Sequence, residues 1–408
     1  MVNLYQGRTS AQKRDLDNFK PRDQRGLNMF EEPKDTTTTF DGVKVRIGGA
    51  LDLQFQAIDH ENSGAVELYD MGSNFNLATA NLDIDVALYD GIRMHLRTYL
   101  SSRHHPEPYV KGGYLLVDKL EFIHEGFLED IMKKVTLKFG HMEINYGDAH
   151  FRRSDNAMTM HNPFIGNYLM DAFTTEVGIE AYYRENGWIG MLGVTNGNLD
   201  QDVEKTDTEP SVVAKLGYDK QLTDDFRFRL TGSMYRTGKS NKTWLYGGDR
   251  AGSRYYYVME GVDATSKGNF RSGRINPGFS KKMTSLMFNT FMKYKGLEFF
   301  GTFENSSGKG YAFDTSRTYN QYAADLLYRF GANEDFYIGG RYNYVDGEQT
   351  PTNDITVKRA QIGAGWFMTK NILAKVEYVN QQYDGYDPST ILHEGQFDGI
   401  MLEAVISF

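Results

Sequence analysis

Apolar and polar side chains alternate at every second residue over many short segments of this chain. In the run 135–139, Val135, Leu137 and Phe139 share one face, while Lys138 lies on the other. Alternation over about ten residues is typical of β-strands with one apolar and one polar face. Because charged side chains are costly in a closed apolar core, the pattern favours strands that lie between hydrocarbon and water, as in a membrane β-barrel.

Composition supports one continuous β-structure. The 408 residues include 27 Tyr, 26 Phe and 42 Gly but only 9 Pro, and no linker is detectable. The mean hydropathy is −0.54, and no apolar run approaches the roughly 20 residues of a membrane helix. These values are compatible with a membrane barrel, because the polar lumen face and the loops dilute its hydropathy signal.

Several function classes are disfavoured. The chain has no Cys, which excludes disulfides, thiol nucleophiles and cysteine metal sites. Its net charge of −9 argues against nucleic acid as a partner. No G-x-S-x-G, phosphate-loop or H-E-x-x-H motif is found, so we expect no enzyme. The first residues lack the apolar core of a signal peptide, and a barrel would therefore require that the given chain lacks its export signal.

The alternation predicts sixteen strands. Their expected ranges are 43–57, 76–89, 92–101, 114–124, three strands within 135–195, 212–220, 226–235, 286–294, 297–304, 321–330, 336–345, 357–368, 372–381 and 397–408. In the fourth range Asp118 is out of phase with its apolar neighbours, which a β-bulge would repair.

Connections alternate between tight turns, such as Asp90-Gly91, and long polar loops. The predicted loops are 59–75, 102–113, 145–172, 196–211, 236–285, 305–319, 346–356 and 382–396. Short turns on one rim and long loops on the other are the layout of a bacterial outer-membrane barrel. The predicted fold is therefore all-β, an antiparallel up-and-down transmembrane barrel of about 16 strands over residues 42–408.

The first 41 residues are polar, and we interpret them as an irregular N-terminal extension. They could form a periplasmic tail, plug the barrel or dock a partner. An even strand count places both chain ends on the periplasmic rim. The chain ends on Phe408, and an aromatic end of the last strand resembles the C-terminal signal of outer-membrane proteins.

The runs LKFGHMEINYGDAH (137–150), NPFIGNYLMDAF (162–173) and VGIEAYYRENGWIGMLGVTNG (177–197), together with Phe408, resemble bacterial outer-membrane porins. The similarity is to the branch that includes phosphate-selective porins. This resemblance implies a 16-stranded barrel, a trimer, and a long third loop that folds into the lumen, here 145–172. The phosphate-binding residues of that branch have no position-by-position match in this chain.

The loop 145–172 is the predicted pore constriction. It contains six large apolar side chains, which a solvated loop would not need but a loop packed against an inner wall would. Mixed charges at a narrow point sort solutes by charge. The alternative is an external loop that packs on its neighbours or on a trimer partner. The candidate constriction residues are Asp148, His150, Arg152, Arg153, Asp155 and His161.

Inward strand positions carry nearly equal numbers of basic and acidic residues, so the charge of the lumen predicts neither anion nor cation preference. We interpret most of these residues as ion pairs of the wall, with Arg93, His95 and Arg97 as the best local track for anions. The candidate pore-lining residues are Arg46, Arg93, His95, Arg97, Lys138, Glu176, Glu180, Arg227 and Arg229.

The loop 236–285 carries seven more basic than acidic residues. A basic outer vestibule could recruit anionic solutes, bind lipopolysaccharide or contact a protein. Asn198, Asp200 and Asp202 could hold Ca²⁺, but they lack the EF-hand spacing, and a solvated turn is favoured. No other cofactor is expected.

The leading hypothesis is a Gram-negative porin, forming a homotrimer in the outer membrane and passing small hydrophilic solutes or ions by passive diffusion. One alternative is a loop-plugged barrel subunit of a secretion or uptake complex. The other is an outer-membrane hydrolase whose residues come from several strands.

Overall fold

The computed structural model describes residues 19–35, 39–101, 105–199, 208–248, 255–269 and 271–408. Sixteen antiparallel strands form a closed barrel in which each strand pairs with its neighbours in sequence. They are β1 (Lys44–Glu61), β2 (Asn74–Tyr89), β3 (Ile92–Ser101), β4 (His105–Val117), β5 (Val135–Glu143), β6 (Thr175–Glu185), β7 (Trp188–Thr195), β8 (Ser211–Gln221), β9 (Phe226–Thr237), β10 (Lys282–Tyr294), β11 (Leu297–Lys309), β12 (Arg317–Phe330), β13 (Phe336–Thr350), β14 (Asn353–Thr369), β15 (Ile372–Asp384) and β16 (Gln396–Ser407).

The last strand closes the barrel against the first, in a register that runs from Ala50 opposite Ser407 to Glu61 opposite Gln396. Closure leaves no strand edge with unpaired backbone groups, which is the condition for a sheet to stand in hydrocarbon. The predicted fold class and the count of sixteen strands are confirmed.

Strand β12 shows how the period of two divides the wall. Gln321, Asp325 and Arg329 point inward and are buried, whereas Tyr322 and Leu326 between them are exposed. Exposed apolar side chains on fifteen of the sixteen strands, and half-buried ones on β5, form the surface that faces lipid.

Two predicted boundaries are wrong. The fourth strand lies at His105–Val117 rather than 114–124, so most of the predicted loop 102–113 is strand. The pairing of β3 with β4 skips Lys111, which lies outside the predicted range 114–124. Asp118 breaks the alternation because β4 ends at Val117, so the predicted β-bulge is not needed there. The predicted loop 346–356 is a two-residue connection, because β13 ends at Thr350 and β14 begins at Asn353.

Helical structure in the described part of the chain is slight. One turn, α1 (Glu129–Met132), lies between β4 and β5, and 3-10 turns occur at Gln24–Gly26, Ala149–Arg152 and Thr159–His161. Among these described helices none has the length and apolarity to cross a membrane.

The hydrophobic core lies inside the barrel. Buried apolar side chains from three segments, 19–35, 145–172 and 245–279, pack with inward side chains of the strands, for example Phe30, Ile165 and Tyr255 with Phe291 and Val357. The described part of the lumen is therefore largely filled by chain.

One inward glycine makes room for this packing. Gly365 of β14 lies opposite Tyr337 of β13, and a Cβ at Gly365 would overlap the Tyr337 ring. The same ring is held from the other side, because its hydroxyl donates to the Pro163 carbonyl of the 145–172 loop at 2.9 Å.

We therefore expect Gly365→Ala to lower the free energy of unfolding by about 1–3 kcal/mol through overpacking. Thermal unfolding in detergent, followed by the loss of the β-sheet circular dichroism signal, measures the change. Gly190→Ala is the matched control, because nothing lies within 4 Å of its added Cβ. Equal effects of the two substitutions would contradict the steric explanation.

Candidate pore constriction

The loop between β5 and β6 lies inside the barrel and is held there through its own backbone. The amide of Ile165 donates to Glu377 at 2.7 Å, that of Leu169 to Asn343 at 2.7 Å and that of Met170 to Gln321 at 2.8 Å. The three acceptors are inward side chains of β15, β13 and β12. A loop away from water must pair its amide groups, and here the strand side chains supply the acceptors.

Asp148 is the acid most tightly surrounded by cations. Its carboxylate accepts from Arg229 at 2.8 Å and from Lys215 at 3.0 Å, and also from the Thr231 hydroxyl at 2.8 Å. These two cations hold the pKa of Asp148 down to about 2, against the opposing effect of burial. Asp148 therefore stays ionised and fixes the start of the loop to β8 and β9.

The two adjacent arginines of the loop point to different partners. Arg152 donates to Glu298 of β11 at 2.7 Å. Arg153 donates to Asp171, at the far end of the same loop, at 2.8 and 2.6 Å. The first pair ties the loop to the wall, and the second closes the loop on itself.

The remaining predicted constriction residues are also buried. Asp155 forms an ion pair with Lys111 of β4, and His150 contacts Glu143 at the end of β5. His161 lies 3.3 Å from the carbonyl of Asp23 in the N-terminal segment. Burial lowers the pKa of both histidines below the usual range, so both stay neutral near pH 7.

The predicted anion track is neutralised by acids of the wall. Arg97 forms a two-bond pair with Asp83 at 2.6 and 2.7 Å, and Arg93 donates to Asp118 at 3.0 Å.

A second acid serves two bases of the same region, because Asp85 accepts from Arg46 at 3.0 Å and contacts His95 at 2.6 Å. Since Asp83 and Asp85 of β2 and Asp118 beyond β4 supply the acids, the track is a set of paired charges.

The other predicted lining residues are paired or hydrogen-bonded in the same way. Arg227 donates to Asp219 at 2.7 Å, and Lys138 lies 3.8 Å from Glu180. The Glu180 carboxylate also accepts from the Asn145 amide at 2.9 Å, and Glu176 accepts from the Tyr235 hydroxyl at 2.8 Å.

Sequence reasoning did not find that part of the basic loop between β9 and β10 also enters the barrel. The hydroxyl of Tyr246 donates to Glu304 at 2.7 Å, and that of Tyr255 donates to Glu377 at 2.6 Å. The signal was available, because this loop is as rich in large apolar residues as 145–172. The sequence analysis used only the net positive charge of this loop, which favours an outer vestibule.

The contacts of the N-terminal segment 19–35 with the loop and the wall were likewise not predicted from the sequence. Asp200 and Asp202 of the possible calcium site, and Arg250 and Arg254 of the basic loop, lie outside the described residues. Within the described ranges, no group of three or more His, Asp or Glu could hold a metal ion.

A cavity of about 60 Å³ remains between the N-terminal segment, the loop and strands β3 to β6. Such a space accommodates a few water molecules. Its charged lining is more basic than acidic: Lys20, Arg22, Arg97, Lys111, Lys138 and Arg184 against Glu31, Glu32 and Glu143.

Residues 45–210 match a family model described as phosphate-selective porin O and P. A comparison with curated protein sequences gave no match.

Solved structures of similar fold include a porin, an outer-membrane channel and an outer-membrane protein. An anion-selective porin from Comamonas acidovorans aligns with a TM-score of 0.56 at 10% identity, covering 90% of this chain and 100% of that one. The channel DcaP of Acinetobacter baumannii gives 0.54 at 12%, covering 91% and 99%. The trimer form of OmpT from Vibrio cholerae gives 0.54 at 12%, covering 90% and 100%. At these identities the likeness shows the fold.

The pair of Arg153 and Asp171 provides a test of how the loop is held. Arg153→Leu leaves a buried carboxylate with reduced compensation, and we expect a loss of roughly 3–5 kcal/mol in the free energy of unfolding. The double variant Arg153→Leu/Asp171→Leu should lose less than the sum of the single variants. Denaturant titration in detergent micelles measures all three.

Lys133→Ala, which removes an exposed pair with Glu129 and Asp130, is the control and should leave stability unchanged. Strict additivity of the two loop substitutions would show that their ion pair does not hold the loop.

Proposed function

We propose that this outer-membrane porin, whose residues 45–210 match the phosphate-selective porin O and P family, conducts small hydrophilic solutes and ions through its barrel by passive diffusion. The observation that carries the proposal is the inner wall of the closed barrel, where charged side chains of both signs line a cylinder of sixteen strands. A barrel of this size is wide enough for an aqueous channel.

The 145–172 loop is the proposed constriction. It crosses the barrel interior and brings Asp148 to Arg229 of β9 and Arg152 to Glu298 of β11. Solutes would be filtered by the width left beside this loop and by the field of its charges. Transport of this kind needs no cofactor and no catalytic residue, and the comparisons give no support to a hydrolase.

We further propose a preference for anions. The cavity beside the loop has a basic majority in its lining. Among the buried donors without a hydrogen-bond acceptor in the described residues is Arg184 Nη1 of β6, which belongs to this lining. The anion-selective porin of similar fold is consistent with this preference.

The assembly is proposed as a homotrimer in the outer membrane, with lipopolysaccharide at the outer loops. A trimer form of a protein with this fold supports the first part, and the excess of basic residues in loop 236–285 supports the second.

A sealed barrel that serves an uptake or secretion complex is the second candidate. The filling of the described lumen by three segments favours it. Planar-bilayer recordings separate the two functions, because a porin opens under some condition of voltage, pH or salt and a sealed subunit opens under none.

Removing positive charge from the cavity should shift ion selectivity. We expect Lys138→Gln/Arg184→Gln to move the reversal potential across a KCl gradient toward cation preference. One unit charge at about 10 Å in water contributes about 0.4 kcal/mol, roughly a factor of two in permeability ratio. Lys133→Gln/Lys295→Gln removes the same charge from exposed turns and should have no effect. An identical shift in both variants would contradict a selectivity site in this cavity.

A further inference from the structure

The N-terminal segment 19–35 crosses the lumen from one side to the other. Arg22 lies 3.3 Å from Asp83 of β2, whereas the Asn28 side chain donates to Glu298 of β11 at 2.7 Å. In a ring of sixteen strands, β2 and β11 stand almost opposite each other. The segment therefore spans the channel instead of following its wall.

The segment enters from the rim of the short turns. The Gln24 amide donates to the Lys370 carbonyl at 2.9 Å, and the Gln24 side chain donates to the Asn333 carbonyl at 3.3 Å. The Ser407 hydroxyl donates to the Arg22 carbonyl at 2.8 Å. These acceptors and donors lie on two short turns and at the end of β16, which form the periplasmic rim of the barrel.

Acidic and aromatic side chains hold its centre. Glu31 accepts from Arg229 at 2.8 and 2.9 Å, and it lies 3.5 Å from Lys215. Phe30 packs edge-on against Phe291 of β10 and Phe151 of the constriction loop. The carboxylate thus lies on the two cations that also hold the constriction loop through Asp148.

We propose that residues 19–35 are an intramolecular plug whose Glu31 occupies the position on Arg229 and Lys215 that a permeating anion takes, and that the channel conducts after this segment has left the periplasmic mouth. The inference rests on the proposed porin function and specifies how that channel is closed. Apart from one 3-10 turn at Gln24–Gly26, the segment is in no helix or strand, so its departure breaks no β-ladder.

A tether tests whether the segment must move. The chain has no Cys, so in Gln24→Cys/Asn333→Cys only the two introduced thiols react with a short reducible bis-thiosulfonate. Bridging should reduce channel openings in planar bilayers at least tenfold, and a reductant should restore them. Peptide mass spectrometry verifies the bridge.

Asp225→Cys/Lys295→Cys is the matched control. It links two short turns whose side chains lie 3.6 Å apart and leaves the segment untouched, so conductance should not change. Openings that persist unchanged in the bridged Gln24–Asn333 variant would overturn the plug.

A second variant weakens the hold without a tether. Glu31→Gln removes the charge that faces Arg229 and Lys215, and we expect several-fold more frequent openings than in the unmodified chain. Asp130→Asn, an exposed acid on α1, should leave the frequency unchanged. If the Glu31 variant, the unmodified chain and the bridged protein open with the same frequency, the plug proposal is wrong and the porin function stands. A chain that never opens, even with Glu31→Gln or after reduction, would reject the porin function together with the plug.

Proton uptake by Lys20 should favour the displaced segment. Burial lowers the pKa of Lys20 to about 7, with Glu32 opposing this effect, whereas a displaced Lys20 regains its ordinary pKa near 10.4. The plugged state thus binds fewer protons between these values, and displacement becomes more favourable as pH falls. The charged and titratable groups around this site are Arg22, Glu31, Glu32, His95, Arg97, Lys111, Tyr114, Lys138, Glu143, His150, His161, Tyr182 and Arg184.

Opening should therefore increase by up to roughly tenfold per unit as pH falls from 9 to 7, and level off below 7. Lys20→Met should flatten this profile, while Lys133→Met, an exposed substitution, should preserve it. The same pH profile in Lys20→Met and the unmodified chain would show that another group controls the response.

Discussion

Charges placed inside a barrel must find partners wherever water is displaced. Transfer of an unpaired charge into such an interior is very costly, and the inward positions of this barrel are rich in Arg, Lys, Asp and Glu. The wall meets this constraint across neighbouring strands, as in Arg341 with Asp325 at 2.7 Å and Lys375 with Glu403 at 2.8 Å. The same requirement determines where each segment binds inside the barrel, because each lies where wall residues compensate its charges.

The three segments inside the barrel share one design. Each combines aromatic residues, which bury apolar area, with groups that satisfy the polar wall: Phe30 with Glu31, Phe151 with Arg152, and the hydroxyls of Tyr246 and Tyr255 with wall glutamates. The aromatic surface alone would not select a position along the barrel. The charged partners do, since only a few inward sites offer the complementary group.

The fold was predictable because the strands carry a local signal. Each strand faces lipid on one side and the lumen on the other, so its period of two is visible without knowledge of its partners. Errors arose where that signal weakens. Residues 346–356 are mostly polar and lack the alternation, although β13 ends at Thr350 and β14 begins at Asn353. The apolar residues Leu120, Phe122 and Ile123 extended the predicted fourth strand beyond its end at Val117.

The candidate site was predictable only in part. The apolar residues of 145–172 indicated contact with an inner wall, and its six candidate residues do lie inside the barrel. Several partners are distant in sequence, such as Arg229 for Asp148 and Glu298 for Arg152, and no local pattern predicts such pairings. The position of the N-terminal segment was not predictable for the same reason. Its polar composition is typical of a solvated tail, and only the fold brings Arg229 and Glu298 into contact with it.

Under the plug proposal, the charges of the wall keep a partner when this segment leaves. When Glu31 departs, Arg229 and Lys215 still have Asp148; when Arg22 departs, Asp83 still has Arg97; when Lys34 departs, Asp118 still has Arg93. Asn28 is uncharged, and Glu298 keeps both Arg152 and Arg329. Because these charges keep a partner in either state, the proposed equilibrium between plugged and open barrels is one that small changes in the charge of the segment can bias.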